Sequence, residues 1–165
     1  KEAQKAEAID EVPVGCVIVK DDKIIARAFN KKEKSKDPTG HAEILALIEA
    51  SIKIGRYSLQ DATIYVTLEP CLMCCGAIIN SRIKRLVFGV NEERFGACES
   101  IMNTFEMKSN HKVIVEKGEC KEEIESLLKD FFNKLINITN KIKFIEITYL
   151  ISLSKYLESC SKVQF

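Results

Sequence analysis

Two short motifs, His41-Ala42-Glu43 and Pro70-Cys71-Leu72-Met73-Cys74, each open an apolar helical pattern, and few folds can serve both. Ile44, Leu45, Leu47 and Ile48 recur at helical spacing after the first motif, predicting a helix over about 41–53 with Thr39 as its cap. Pro70 suits a first helical turn and predicts a second helix over 71–81. Before the first helix, the β-rich runs 14–20 and 24–29 flank Asp21-Asp22-Lys23 and read as a hairpin. The polar stretch 30–40, with the turn pair Asp37-Pro38, reads as a loop. Ala62–Leu68 and Arg85–Gly89 are further strands, Lys112–Glu116 a fifth, and Glu122–Phe132 an amphipathic helix. This order predicts a sheet covered by helices on its faces.

Cysteines three apart at a helix start lie on neighbouring faces of its first turn. The unpaired N–H groups and positive dipole end there favour thiolates, so both Cys71 and Cys74 are expected to be ionised. His41 can supply a third ligand and leave a fourth tetrahedral position open, the pattern of a catalytic zinc site. Glu43 lies about 200° further round a helix than His41. That placement suits a base beside a metal rather than a ligand. Two thiolates neutralise a dication and acidify its water less, so a carboxylate is needed to carry the proton.

Each element also has an ordinary reading. A Cys-x-x-Cys pair is often structural or redox-active, a histidine beside a helix is often a core or capping residue, and Glu43 alone would be a solvated helix residue. Their joint occurrence at two helix entrances favours metal catalysis. Cys75 points to the next face and is expected to pack as a small hydrophobe; Cys16, Cys98, Cys120 and Cys160 are read as structural.

Seven cysteines, an odd count, and a polar start over residues 1–10 argue against a secreted disulfide scaffold and for the cytoplasm. The apolar stretch 144–153 is too short for a bilayer, which takes about 20 residues. With 25 basic and 24 acidic residues the formal charge is +1, so any nucleic-acid contact must be local. Lys31, Lys32, Lys34 and Lys36, and the 91–95 loop with Glu92 and Phe95, are the candidates.

His-x-Glu followed by Pro-Cys-x-x-Cys resembles the zinc-dependent cytidine and adenosine deaminases. The likeness extends to Glu11-Val12-Pro13-Val14-Gly15, Asn30, Asp37-Pro38-Thr39, the run from Thr67 to Ile83, Val87-Phe88-Gly89 and Asp130-Phe131-Phe132, and is strongest to the bacterial tRNA-specific adenosine deaminases. The resemblance implies a three-layer α/β/α cytidine-deaminase-like fold around a central mixed five-stranded sheet. It further implies conversion of adenosine to inosine at the first anticodon position of tRNA, by a cytoplasmic homodimer with one Zn2+ per subunit. On the matching positions, His41, Cys71 and Cys74 would be metal ligands and Glu43 the catalytic proton shuttle. Asn30 would hydrogen-bond the flipped-out base, Val14 would wall the pocket, and Phe132 would meet the tRNA anticodon stem-loop. Read without the resemblance, Asn30 is a loop residue in an Asx turn.

The likeness covers residues 1–132, the deaminase domain; 133–165 has no counterpart and reads as an extension of net charge +3 that no function has selected. The first helix starts late for the family. The same chemistry would serve a deaminase of a free nucleoside, nucleotide or nucleobase such as cytidine, deoxycytidylate or guanine. A zinc module that binds RNA without catalysis is the reading from a different class.

Overall fold

The computed structural model describes residues 1–161, with side chains to residue 150. It divides into two compact units, Lys1–Leu128 and Lys129–Phe165. In the first, helix α1 (Glu2–Glu7) precedes strands β1 (Gly15–Lys20) and β2 (Lys23–Phe29), which pair antiparallel as the hairpin signature predicts. A short helix α2 (Lys32–Ser35) and a long one, α3 (Ala42–Ile54), lead to β3 (Thr63–Leu68). Helix α4 (Leu72–Asn80), β4 (Arg85–Val90) and β5 (Ile114–Lys117) follow. Strand order is β2-β1-β3-β4-β5, antiparallel through β3 and parallel from β3 to β5, so the sheet is mixed and five-stranded.

Side-chain alternation along the strands sets the layers. Cys16 and Ile18, Ala26 and Ala28, Ile64 and Val66, and Leu86 and Phe88 are buried in one cluster with Ala42, Ala46, Leu47 and Ala50 of α3 and Ile78 of α4. On the other face Ala3 and Ala6 of α1 are buried, and helix α5 (Lys121–Ser161) crosses β4 at Gly89. A Cβ on Gly89 would collide with Ile124 Cδ1 and the Thr67 carbonyl, so only glycine admits this crossing. Pro70 and Cys71, directly after β3 at the carboxyl end of a parallel strand, open α4, one of the two helix entrances where the site forms.

The sequence predicts a helix over 122–132 and leaves 133–165 a tail without clear caps, for which a helix is one reading; α5 runs without a break to Ser161. Residues 121–161 contain neither Gly nor Pro, so nothing ends the helix. In the second unit Leu135, Ile138, Ile142, Ile145 and Tyr149 are exposed, and the Thr139 and Thr148 hydroxyls donate back to the Leu135 and Phe144 carbonyls. Among the described residues no helix is long and apolar enough to cross a membrane.

Candidate active site

The backbone after β2 closes a loop that delivers the first motif. Asn30 N–H donates to the Val14 carbonyl at 3.0 Å and Lys31 N–H to the Gly40 carbonyl at 2.9 Å, so the chain leaves at Asn30 and returns at His41. Asp37 accepts from the N–H and hydroxyl of Thr39 at 2.8 and 2.7 Å. Thr39 is therefore engaged in an Asx turn and does not cap α3. The N-cap is His41 itself, extended at φ −80° and ψ 147°, with no side-chain capping bond. Cys71 holds the same position on α4, extended at φ −75° and ψ 170°, and Pro70 stands one residue before it. An extended N-cap leaves the helical wheel, so the 200° expected between His41 and Glu43 does not apply. Both can face one point.

His41 Nδ1 lies 3.7 Å from Cys71 Sγ and 3.6 Å from Cys74 Sγ, and the three ligand atoms are all within 4.8 Å of one another. Nitrogen and sulfur sharing one tetrahedral ion at bond lengths of about 2.0 and 2.3 Å would stand about 3.5 Å apart. The donor set thus fits a metal ion. Glu43 is buried at 4% exposure beside it. Burial pushes its carboxyl up, while a hydrogen bond from its own N–H and the charge of His41 offset part of the rise.

The two cysteines differ, contrary to the expectation that both are ionised. A hydrogen bond from Cys74, together with His41, lowers Cys71 to about 4. Cys74 is pushed far up, because it is the donor in that bond, is buried, and faces Glu43. Two adjacent sulfurs share one proton, since a second buried negative charge would repel the first. The hydrogen bond to Cys71 raises His41 in turn. Metal binding must displace the Cys74 proton and, below the raised His41 value, the His41 proton as well, so apparent metal affinity is expected to rise at least about tenfold per pH unit through neutrality. Competition titrations with a chromophoric chelator between pH 6 and 8 check this; a flat profile contradicts it.

A residue that motif reasoning passes over organises the other wall. Glu69, 3% exposed, accepts from the backbone N–H groups of Cys98, Glu99 and Ser100 on Oε1 at 2.9, 2.8 and 3.0 Å, and from Glu92 N–H on Oε2 at 3.1 Å. The Ser100 hydroxyl also donates to Oε2. Burial works to raise the Glu69 carboxyl, but these bonds outweigh it and hold it below the usual carboxylate range. A Cβ on Gly96 would overlap the Glu69 carboxylate, so glycine there makes the approach sterically possible. Ala97 N–H donates to the Pro70 carbonyl at 2.9 Å and Gly96 bridges Cys71. The 92–100 loop is therefore tied directly to the cysteine motif. The available signal was a charged residue at the buried end of an apolar strand.

Of the other expected site residues, Val14 and Asn30 are both buried and adjoin through their backbone bond. Phe132 belongs to the second unit, is 37% exposed, and meets Phe131 edge to face at 5.4 Å. Lys32, Lys34 and Lys36 are exposed on and after α2, and Lys31 Nζ sits 4.7 Å from the Phe29 ring centre. Cys75 is fully buried, its sulfur 3.7 Å from that of Cys98. Cys16 is buried too, but Cys120 is exposed and packs no core. The Cys160 side chain lies outside the described residues.

The MafB19-like deaminase family model matches residues 1–136. The tRNA-specific adenosine deaminase of Haemophilus influenzae is 48% identical over 134 residues, 80% of this chain and 78% of that protein. That of Bacillus subtilis is 43% identical over 136 residues, 82% and 84% of the two chains. A solved structure from a study of A-to-I editing by tRNA:A34 deaminases at the wobble position superposes with a TM-score of 0.75 at 40% identity, covering 77% of this chain and 93% of its own. With a family model spanning most of its length and relatives of this identity, the chain belongs to the MafB19-like deaminase family and, within it, to the tRNA-specific adenosine deaminases.

Proposed function

We propose that the protein hydrolyses adenosine to inosine at the first anticodon position of a tRNA, in the cytoplasm, as a homodimer with one zinc ion per subunit. The observation that carries this reading is the meeting of His41 Nδ1 with two cysteine sulfurs at 3.6 and 3.7 Å beside a buried carboxyl. His41, Cys71 and Cys74 would hold the zinc. A zinc ion there supplies the Lewis acidity that makes water a nucleophile at neutral pH.

Glu43 takes one proton from the attacking water and delivers it to the purine ring nitrogen, then takes the second from the hydroxyl now on the reacting carbon and delivers it to the departing amino group. The C–N bond breaks, and adenosine plus water give inosine plus ammonia. A carboxyl raised by burial is suited to both halves of that transfer. The target base must leave its stack, so the pocket has to replace lost contacts. Val14 would offer an apolar wall and the Asn30 amide a donor and an acceptor for the purine edge. The exposed Lys32, Lys34 and Lys36 would meet phosphates, and Phe132 would stack against the anticodon loop. Residues 1–132 form the deaminase on this reading, and 133–165 are dispensable.

Incubation with an anticodon stem-loop bearing a wobble adenosine, alongside free adenosine, cytidine, deoxycytidylate and guanine, tests it. Inosine is expected in the stem-loop alone, and its formation is expected to cease with a chelator. Turnover of only the free compounds would replace the tRNA reading with one of a small-molecule deaminase.

A further inference from the structure

Glu11 is 1% exposed, and its two carboxylate oxygens have different partners. Oε2 accepts from Asn30 Nδ2 at 3.1 Å, and Oε1 from Lys34 N–H at 2.7 Å. Its own N–H donates to the Ala6 carbonyl at 3.0 Å, which fixes its backbone to the end of α1. A carboxylate can only accept, so the Asn30 amide must turn its NH2 toward Glu11 and present its carbonyl oxygen on the other side. We propose that Glu11 is a positioning residue that sets which way the Asn30 amide faces, and thereby which pattern of donor and acceptor the substrate base meets. This rests on the reading of Asn30 as a base contact.

The two partners respond differently to a change at Glu11. The Lys34 N–H is backbone and cannot become an acceptor, whereas the Asn30 amide can rotate by 180°. In Glu11→Gln the introduced carbonyl is required on Lys34 N–H, so the introduced NH2 points at Asn30. Asn30 then satisfies it by turning its oxygen inward. Every hydrogen bond survives, but the face offered to the substrate is inverted. In Glu11→Gln/Asn30→Asp the introduced NH2 meets a carboxylate, which always has an oxygen outward. Asn30→Asp alone sets two carboxylates face to face.

Steady-state kinetics on the wobble-adenosine stem-loop, with metal content and Tm measured beside them, test the assignment. Glu11→Gln is expected to lower kcat/KM on the order of 10²-fold with metal content unchanged and Tm within about 3 °C. Asn30→Asp is expected to lose on the order of 10³-fold, and the double variant to recover at least about tenfold over it. Relief of the carboxylate repulsion restores Tm in either case, but a purely structural brace predicts no recovery of kcat/KM per folded molecule. Glu11→Gln retaining more than about a third of wild-type kcat/KM, or a double variant no better than Asn30→Asp, overturns the role of Glu11. If Glu11→Gln does not fold, kcat/KM per folded molecule of the double variant, compared with that of Asn30→Asp, decides. Undiminished activity in Asn30→Ala overturns the reading of Asn30 itself and this proposal with it; loss there beside an active Glu11→Gln overturns the role of Glu11 alone.

Discussion

Glu43→Gln is expected to lower kcat for inosine formation by about 10³- to 10⁴-fold while the protein keeps its fold and its metal. The amide is isosteric, still fits beside Cys74, and cannot accept and return a proton. His41, Cys71 and Cys74, the three groups within 4.8 Å of one another, are untouched. The sign of the stability change is separately determined. Burial raises the Glu43 carboxyl, so its ionised form is penalised in the folded state, and the folded protein gains from the neutral form as pH falls. Removing the ionisable group is therefore expected to leave Tm equal or higher at pH 8. Metal analysis, single-turnover kinetics and thermal melts on the same preparation check all three statements. Retained metal with activity within tenfold of wild type would remove Glu43 from proton transfer.

The largest loss of stability is expected at Glu69. Its carboxylate takes four backbone N–H groups and one hydroxyl, drawn from residues 92 to 100, while its own backbone precedes Pro70 and Cys71. In Glu69→Gln one oxygen becomes a donor; the Ser100 hydroxyl can turn to accept from it, but the Glu92 N–H is left facing a donor with no acceptor. The cost of such an unsatisfied donor, with the lost charge assistance, is about 2–4 kcal/mol, or about 5–15 °C in Tm for a chain of this size. Because the folded carboxyl is held below its ordinary value, this stabilisation is full above the unfolded carboxylate pKa of about 4.3 and is lost as pH falls through the lower folded value. The gap in Tm between wild type and variant should therefore narrow on acidification from pH 6 toward pH 3. Limited proteolysis is expected to open the variant first within residues 92–100. A Tm within 2 °C of wild type at pH 7 would contradict this account.

Some of the site was legible because its information is local. Pro70-Cys71-Leu72-Met73-Cys74 carries its own helix start, and alternation in Ile64 and Val66 or Leu86 and Phe88 marks buried strand faces without knowledge of their partners. The ionisation of the cysteines was not local. Each thiol considered alone at a helix start favours the thiolate, but two sulfurs side by side share a proton, so that Cys71 is lowered and Cys74 raised. Thr39 was misread for a similar reason: its hydroxyl is used by Asp37, two residues before it, and the cap passes to His41.

The sequence by itself determined the strand and helix types, a sheet covered by helices, and the residue kinds able to bind a metal and move a proton. These depend on periodicity and short-range chemistry, which a linear chain displays. Only the tertiary structure decided that His41 and Glu43 face the same point, that Glu11 accepts a hydrogen bond from Asn30 across 19 residues, and that Glu69 gathers a loop up to 31 residues away. A buried carboxylate has no sequence signature of its own, because its meaning lies in the donors that folding brings to it. The length of α5 was visible in principle as the absence of Gly and Pro through 121–161, but a helix without a stop signal is defined by what the chain lacks.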